Sequence, residues 1–179
     1  MKPAEKQKSK MLKSLYKMKI EHLEERIAEY RTSIKTVVDK RLYWRDKTKP
    51  LLQKTLQTVV ETYNLGWSVQ NLKWLQSNEA TNITFDSFPP ELIDCTNLIP
   101  AFQFSAGGSL VFSQSYNGDV FVFILYPDNP QIPIEENITE LGTYAPEEIT
   151  DRMIVERVDE FLKEMIKWEV PTLKKKLGY

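Results

Sequence analysis

Residues Ser109–Tyr126 read SLVFSQSYNGDVFVFILY, and this stretch decides the fold class. Asn117-Gly118 separates two apolar runs, and both residues accept the positive φ that a type I′ turn needs. Ser109–Tyr116 and Asp119–Tyr126 are therefore predicted to pair as an antiparallel hairpin. Val120 through Tyr126 is apolar at every position. A strand with one wet face alternates, so this one is expected to be central and covered on both faces.

Upstream, Ala106-Gly107-Gly108 joins this hairpin to a further predicted strand, Phe102–Ser105. The run Ser105–Ser109 has the glycines of a phosphate loop. Such a loop opens a helix, whose free N–H groups bind the anion, whereas here the glycines lead into Leu110-Val111-Phe112, another strand. Trp67–Leu75 and Asn82–Phe88 are β-rich and flank a polar turn, Gln76-Ser77-Asn78-Glu79; Pro89-Pro90 ends the second. Glu91–Ile99 leaves room for a helical turn.

Downstream, the prolines of Pro127–Pro133 mark a loop, and Glu135–Tyr144 reads as a polar connector. Pro146-Glu147-Glu148 is expected to start a long helix, with proline early and acids against the helix dipole. Its stripe is Ile154, Val158, Phe161, Met165 and Trp168, and Pro171 ends it before a basic tail at Leu173–Lys176.

The N-terminal third is helical in pattern. From Tyr16 the apolar residues are Tyr16, Ile20, Leu23, Ile27, Tyr30, Ile34 and Val37, spaced 4, 3, 4, 3, 4 and 3. That is a heptad seam with isoleucine at every a position, built to lie along another helix. The helix is expected to run from about Lys10 to Asp46, with Lys47–Pro50 as a turn. A second helix follows, with Leu52, Leu56, Val59 and Tyr63 on its face and Gly66 as its C′ residue. The two are expected to form an antiparallel hairpin. The C-terminal helix, acidic where the first is basic, is the natural partner for the uncovered end of the seam.

The expected architecture is α+β: a helical hairpin (11–66), an antiparallel meander of 4–5 strands (67–126) and a long C-terminal helix (146–170), with 1–10 as a disordered basic tail. The single domain spans 11–179. The 41% hydrophobic and 27% charged content suits a chain of 179 residues with a real core. No apolar run is long enough to span a membrane, and the lysine-rich Met1–Lys19 is not a secretory signal. A single cysteine, Cys95, cannot form an internal disulfide and fits a reducing cytoplasm. Asn82 and Asn137 begin Asn-x-Thr triplets that are most simply chance.

The net charge of −1 hides an asymmetry. Residues 1–60 carry 16 Lys/Arg and 7 Asp/Glu, or +9; residues 61–179 carry 8 and 18, or −10. Lys6, Lys10, Lys13 and Lys17 recur at 4, 3 and 4, a basic stripe on a helix that can neutralise several phosphates. The plain alternative is a solvated face that aids solubility.

Little else points to chemistry. His22 is the only histidine; with Glu25 it makes a His-x-x-Glu step, but a bundle metal site needs more such contributions. Cys95 lacks a neighbouring base, and Glu135-Glu136 and Glu147-Glu148 are adjacent pairs whose side chains diverge. The four tryptophans, Trp44, Trp67, Trp74 and Trp168, fall on different elements and read as core. No catalytic residue, cofactor or metal is assigned. The expected function is non-enzymatic: an adaptor or accessory protein binding a protein partner or itself through Tyr16–Val37. The alternative is a nucleic-acid-binding accessory protein using the lysine stripe. Third is an enzyme or small-ligand binder with a pocket under the sheet.

Overall fold

The computed structural model describes residues 3–73, 78–92, 107–127 and 137–170. The chain divides into two compact units, Met1–Asp39 and Lys40–Tyr179, each taken by itself below. The class is α+β, with a long N-terminal helical region, a five-stranded antiparallel sheet and a C-terminal helix. Cys95 and the predicted strand Phe102–Ser105 lie outside the described residues.

Helix α1 spans Pro3–Tyr43, so it is already formed at Pro3, where a missing N–H costs nothing. Residues before Lys40 make up the first unit. Its last turn, from Lys40, belongs to the second.

The predicted turn at Lys47–Pro50 is corrected. Trp44–Thr48 is a π-helical turn that runs directly into α2, Lys49–Thr62, and the flanking Tyr43 and Lys49 have helical dihedrals. The chain does not reverse there. Pro50 has no N–H to donate, so the hydrogen-bond ladder must change partners. The Lys49 N–H bonds the carbonyl of Trp44, five residues back, and this wide turn lets the helix continue past the proline. Trp44 and Thr48 are both buried, and the Thr48 hydroxyl donates to the Pro146 carbonyl at 2.9 Å. A turn reading was natural from Lys-Thr-Lys-Pro, but burial of Trp44 and Thr48 holds the helical path instead.

The strands are β1 (Trp67–Lys73), β2 (Glu79–Phe85), β3 (Ser109–Gln114), β4 (Val120–Leu125) and β5 (Ile138–Tyr144), paired in that order, each antiparallel to the next. The β3–β4 hairpin is where the sequence places it, with a different turn. Ser115 N–H donates to the Asp119 carbonyl at 2.7 Å and Gly118 N–H to the Ser115 carbonyl at 3.0 Å. Tyr116, Asn117 and Gly118 thus form a three-residue loop, with Gly118 at φ +88 in the left-handed position. The Asn117 side chain caps it, accepting from the Asp119 N–H at 3.1 Å. Gly107 and Gly108 lead into β3, a strand and not the helix that a phosphate loop would open.

The stretch read as a polar connector contains β5. It is an edge strand with Thr139, Glu140 and Thr143, so it lacks the apolar alternation by which strands are found. Glu140 pairs with Phe123 and Gly142 with Val122, leaving Leu141 as a bulge. Such a bulge twists an edge away from unwanted pairing.

The pairing register puts Val69, Ile83, Leu110 and Ile124 on one face, with Trp67, Phe85, Phe112 and Val122 beside them. This face packs against α2 and the C-terminal helix α3 (Asp151–Glu169). The α2 residues Leu52 and Leu56 and the α3 residues Ile154, Val158, Phe161 and Met165 are buried there, whereas Tyr63 is exposed. The C-terminal helix spends its stripe on α2 and the sheet. It starts later than Pro146-Glu147-Glu148, which form a separate 3₁₀ turn. Buried Ile149 follows, and Thr150 is the N-cap, its hydroxyl accepting from Met153 N–H at 3.3 Å. The other face carries a smaller cluster of Ala80, Val111 and Phe123, all buried, so β4 has buried residues on both faces.

Gly66 is not the helix C′ residue, because α2 already ends at Thr62 with Tyr63 extended. Its carbonyl accepts from Asp86 and Ser87 N–H, each at 2.9 Å, closing the open end of β1–β2. With φ +77, a Cβ there would lie 2.6 Å from the Ser87 and Phe88 backbone. Gly66→Ala is expected to cost about 1–3 kcal/mol by this clash, read as a lowered urea midpoint. An unchanged midpoint would mean that this end of the sheet yields freely.

Candidate helix-pairing interface

The exposed apolar face of α1 is the feature with the clearest capacity to act. Leucine, isoleucine and glutamate-rich turns without Gly or Pro after Pro3 keep the helix regular. On it Tyr16, Ile20, Leu23, Ile27, Tyr30 and Ile34 are all exposed, from 42% at Ile27 to 70% at Tyr16. Val37, the last residue of the heptad seam, is half-buried. Four further apolar residues, Met11, Leu12, Leu15 and Val38, are exposed as well. Met11 and Leu15, at f and c, lie off the seam; the heptad count passed over Leu12 and Val38 because they fall at its flanking g and e positions. A 3.6-residue period admits both, since an apolar helix face is wider than a coiled-coil seam. Contiguous exposed apolar side chains of this extent mark interaction surfaces.

The basic stripe occupies the same helix. Lys10, Lys13 and Lys17 are exposed, and the side chain of Lys6 lies outside the described residues. Further along, Arg26 and Glu29 pair at 2.5 Å and His22 lies 3.5 Å from Glu25, all largely in solvent. Pairs so exposed contribute little stability, so these charges remain available to a partner.

In the second unit several charged groups are tied into the fold. Lys40 meets Asp119 at 2.6 Å and the Arg41 guanidinium donates to the Tyr116 carbonyl at 2.9 Å, so two cations hold the β3–β4 loop. Lys49 donates to Glu79 at 2.8 Å, and the Trp44 indole N–H donates to the same oxygen at 3.4 Å. The Lys49 hydrogen bond, assisted by its charge and by Trp44, holds the Glu79 carboxyl below the usual carboxylate range. A depressed carboxyl stabilises the fold above its unfolded value, near pH 4, and that contribution fades as pH falls through the folded value. Glu79→Gln is therefore expected to lower stability at neutral pH and to flatten the acid limb of the stability curve. Parallel curves for the two proteins would exclude the linkage.

The remaining polar groups offer structure more than reactivity. Tyr126 bonds Thr139 at 2.9 Å and Glu164 at 3.1 Å; burial, with the Glu164 charge, pushes its hydroxyl above the usual tyrosine range. Asn82 is buried and donates to the Ser109 hydroxyl at 2.8 Å, and the Asn137 amide donates to the Tyr126 carbonyl at 3.2 Å. Both Asn-x-Thr asparagines thus use their amide nitrogen inside the fold. Among the described residues, no three His, Cys, Asp or Glu come close enough to hold a metal, and no helix is long and apolar enough to cross a membrane. No protein-family model, curated protein or solved structure matches this chain.

Proposed function

We propose that this chain is a non-enzymatic interaction protein, an adaptor or accessory subunit of the cytoplasm, that associates with itself through the apolar face of α1. The observation that carries this reading is the exposure of Tyr16, Ile20, Leu23, Ile27, Tyr30 and Ile34 along one seam. Each such side chain gains about 1.5–3 kcal/mol when removed from water, and a second helix of matching period removes all of them together. The cytoplasmic placement rests on the single Cys95.

Sedimentation equilibrium over a concentration series tests the reading. Self-association gives a mass rising from 21.0 kDa toward a multiple of it. A mass that stays at the monomer value at every concentration counts against it.

A second reading is favoured by the exposed Lys10, Lys13 and Lys17 and the +9 charge of residues 1–60: an accessory protein whose N-terminal helix lies along a nucleic acid. Binding to labelled mixed-sequence DNA or RNA that collapses with added salt would support it. An absence of binding at low salt would remove it.

A further inference from the structure

Charge is arranged along α1 in blocks, and the blocks select how a second copy lies on it. Residues 10–19 carry Lys10, Lys13, Lys17 and Lys19 with no acid. Residues 21–29 carry Glu21, Glu24, Glu25 and Glu29 with one cation, Arg26, which is paired within its own helix to Glu29. A parallel, in-register pair would set lysine block beside lysine block and place Lys13 across the seam from Lys13 of the second copy. An antiparallel pair centred between the blocks sets each lysine block against a glutamate block, twice by symmetry.

We propose that the occupant of this face is a second copy of α1, antiparallel and staggered about Ile20. This rests on the self-association reading and adds orientation and register to it. Antiparallel counting about the Lys19–Ile20 step places Leu12 opposite Ile27 of the second copy and Tyr16 opposite Leu23, with the two Ile20 side chains meeting near the axis. All five residues are exposed in the single chain and lie on one face at spacings of 4, 4, 3 and 4. The centre of the paired segment, Leu12–Ile27, is roughly 24 Å long at 1.5 Å per residue, and Tyr30 and Ile34 lie against the N-terminal turns of the second copy. Helical geometry puts Glu24 on the same flank of the stripe as Lys13 and Lys17, 100° per residue being the rotation. In the staggered pair Glu24 of one copy therefore falls between Lys13 and Lys17 of the other. Like charges meet at one place, the two Lys19 side chains near the axis. Opposite charges meet at two, so the pairing is selective for this stagger.

Disulfide mapping in a Cys95→Ser background tests the register. Oxidised Ile20→Cys is expected to link to itself, and Ile27→Cys alone is not. A mixture of Ile27→Cys and Leu12→Cys is expected to give a linked heterodimer. Glu24→Lys is expected to weaken dimerisation by about tenfold, because each copy exchanges two attractions for two repulsions. Self-linking of Ile27→Cys as efficient as that of Ile20→Cys would overturn the antiparallel arrangement in favour of a parallel one, while leaving self-association intact. A dimer by sedimentation that links at none of these positions would overturn the stagger. A monomeric wild-type chain would overturn the proposal together with the reading beneath it.

Discussion

Phe161→Ala lowers the stability of the second unit by about 3–5 kcal/mol, the expected cost of deleting a fully buried phenyl ring. Phe161 is 0% exposed and its ring packs on Phe85 at 5.5 Å. Phe85 stacks in turn on Trp67 at 5.5 Å, and the Trp67 indole N–H donates to the Tyr63 carbonyl at 2.6 Å. One aromatic column therefore ties the C-terminal helix, two strands and the end of α2 together. Removing its α3 member leaves a cavity that neighbours cannot fill, because Ile154, Val158 and Met165 around it are already packed. For a chain of this size the loss corresponds to a melting temperature lower by roughly 10 °C. Val155→Ala, on the exposed side of the same helix, is the control and stays within about 0.5 kcal/mol. A melting temperature unchanged by Phe161→Ala would mean that α3 is not part of the core.

The same column explains what was legible. Phe161 belongs to a stripe of 4-3 spacing and Phe85 to a β-rich run, and both kinds of pattern mark which residues share an apolar face. The hairpin was legible for a related reason, since Asn117-Gly118 has few conformations open to it beyond a tight turn. What was missed lacked a local signal. Strand β5 is held by its hydrogen bonds to β4 and by a bulge at Leu141, neither of which leaves an apolar alternation behind. The π turn at Trp44–Thr48 looked like a break because Pro50 usually is one. Only the burial of Trp44 beside Glu79 and of Thr48 against Pro146, contacts with residues far along the chain, keeps the helix going. Tertiary contact overrode local propensity there.

The candidate interface was half legible. Spacing gave the seam from Tyr16 to Val37, since a heptad is a statement about which residues share a line. It could not give exposure, which depends on where every other element lies. A stripe with the same 4-3 spacing on α3 is buried while that on α1 is not, so period alone does not separate a core helix from a docking helix. Leu12 and Val38 became part of the candidate face only once their exposure was known.

Ile27→Asp separates association from folding, and its expected effect is large in one measurement and absent from the other. Ile27 lies in the segment proposed to pair and is 42% exposed in the single chain, so an aspartate there is solvated in the monomer and costs the fold of the second unit nothing. In the staggered pair the same carboxylate is removed from water against Leu12 of the second copy, with Lys13 at the edge of the seam compensating it only in part. Putting a charge into an apolar seam is costly even so, and an interface residue of this kind contributes about 2–4 kcal/mol. The dissociation constant rises by roughly 30- to 1,000-fold. The urea midpoint of the sheet stays where it was, which distinguishes the variant from Phe161→Ala, where the midpoint falls and any loss of association is secondary. Ile27→Leu keeps the volume and shifts the dissociation constant by less than about tenfold. If Ile27→Asp sediments as wild type at every concentration, the apolar face of α1 is not where copies of this chain meet. A lowered midpoint without a change in mass would instead place Ile27 in the core of its own chain.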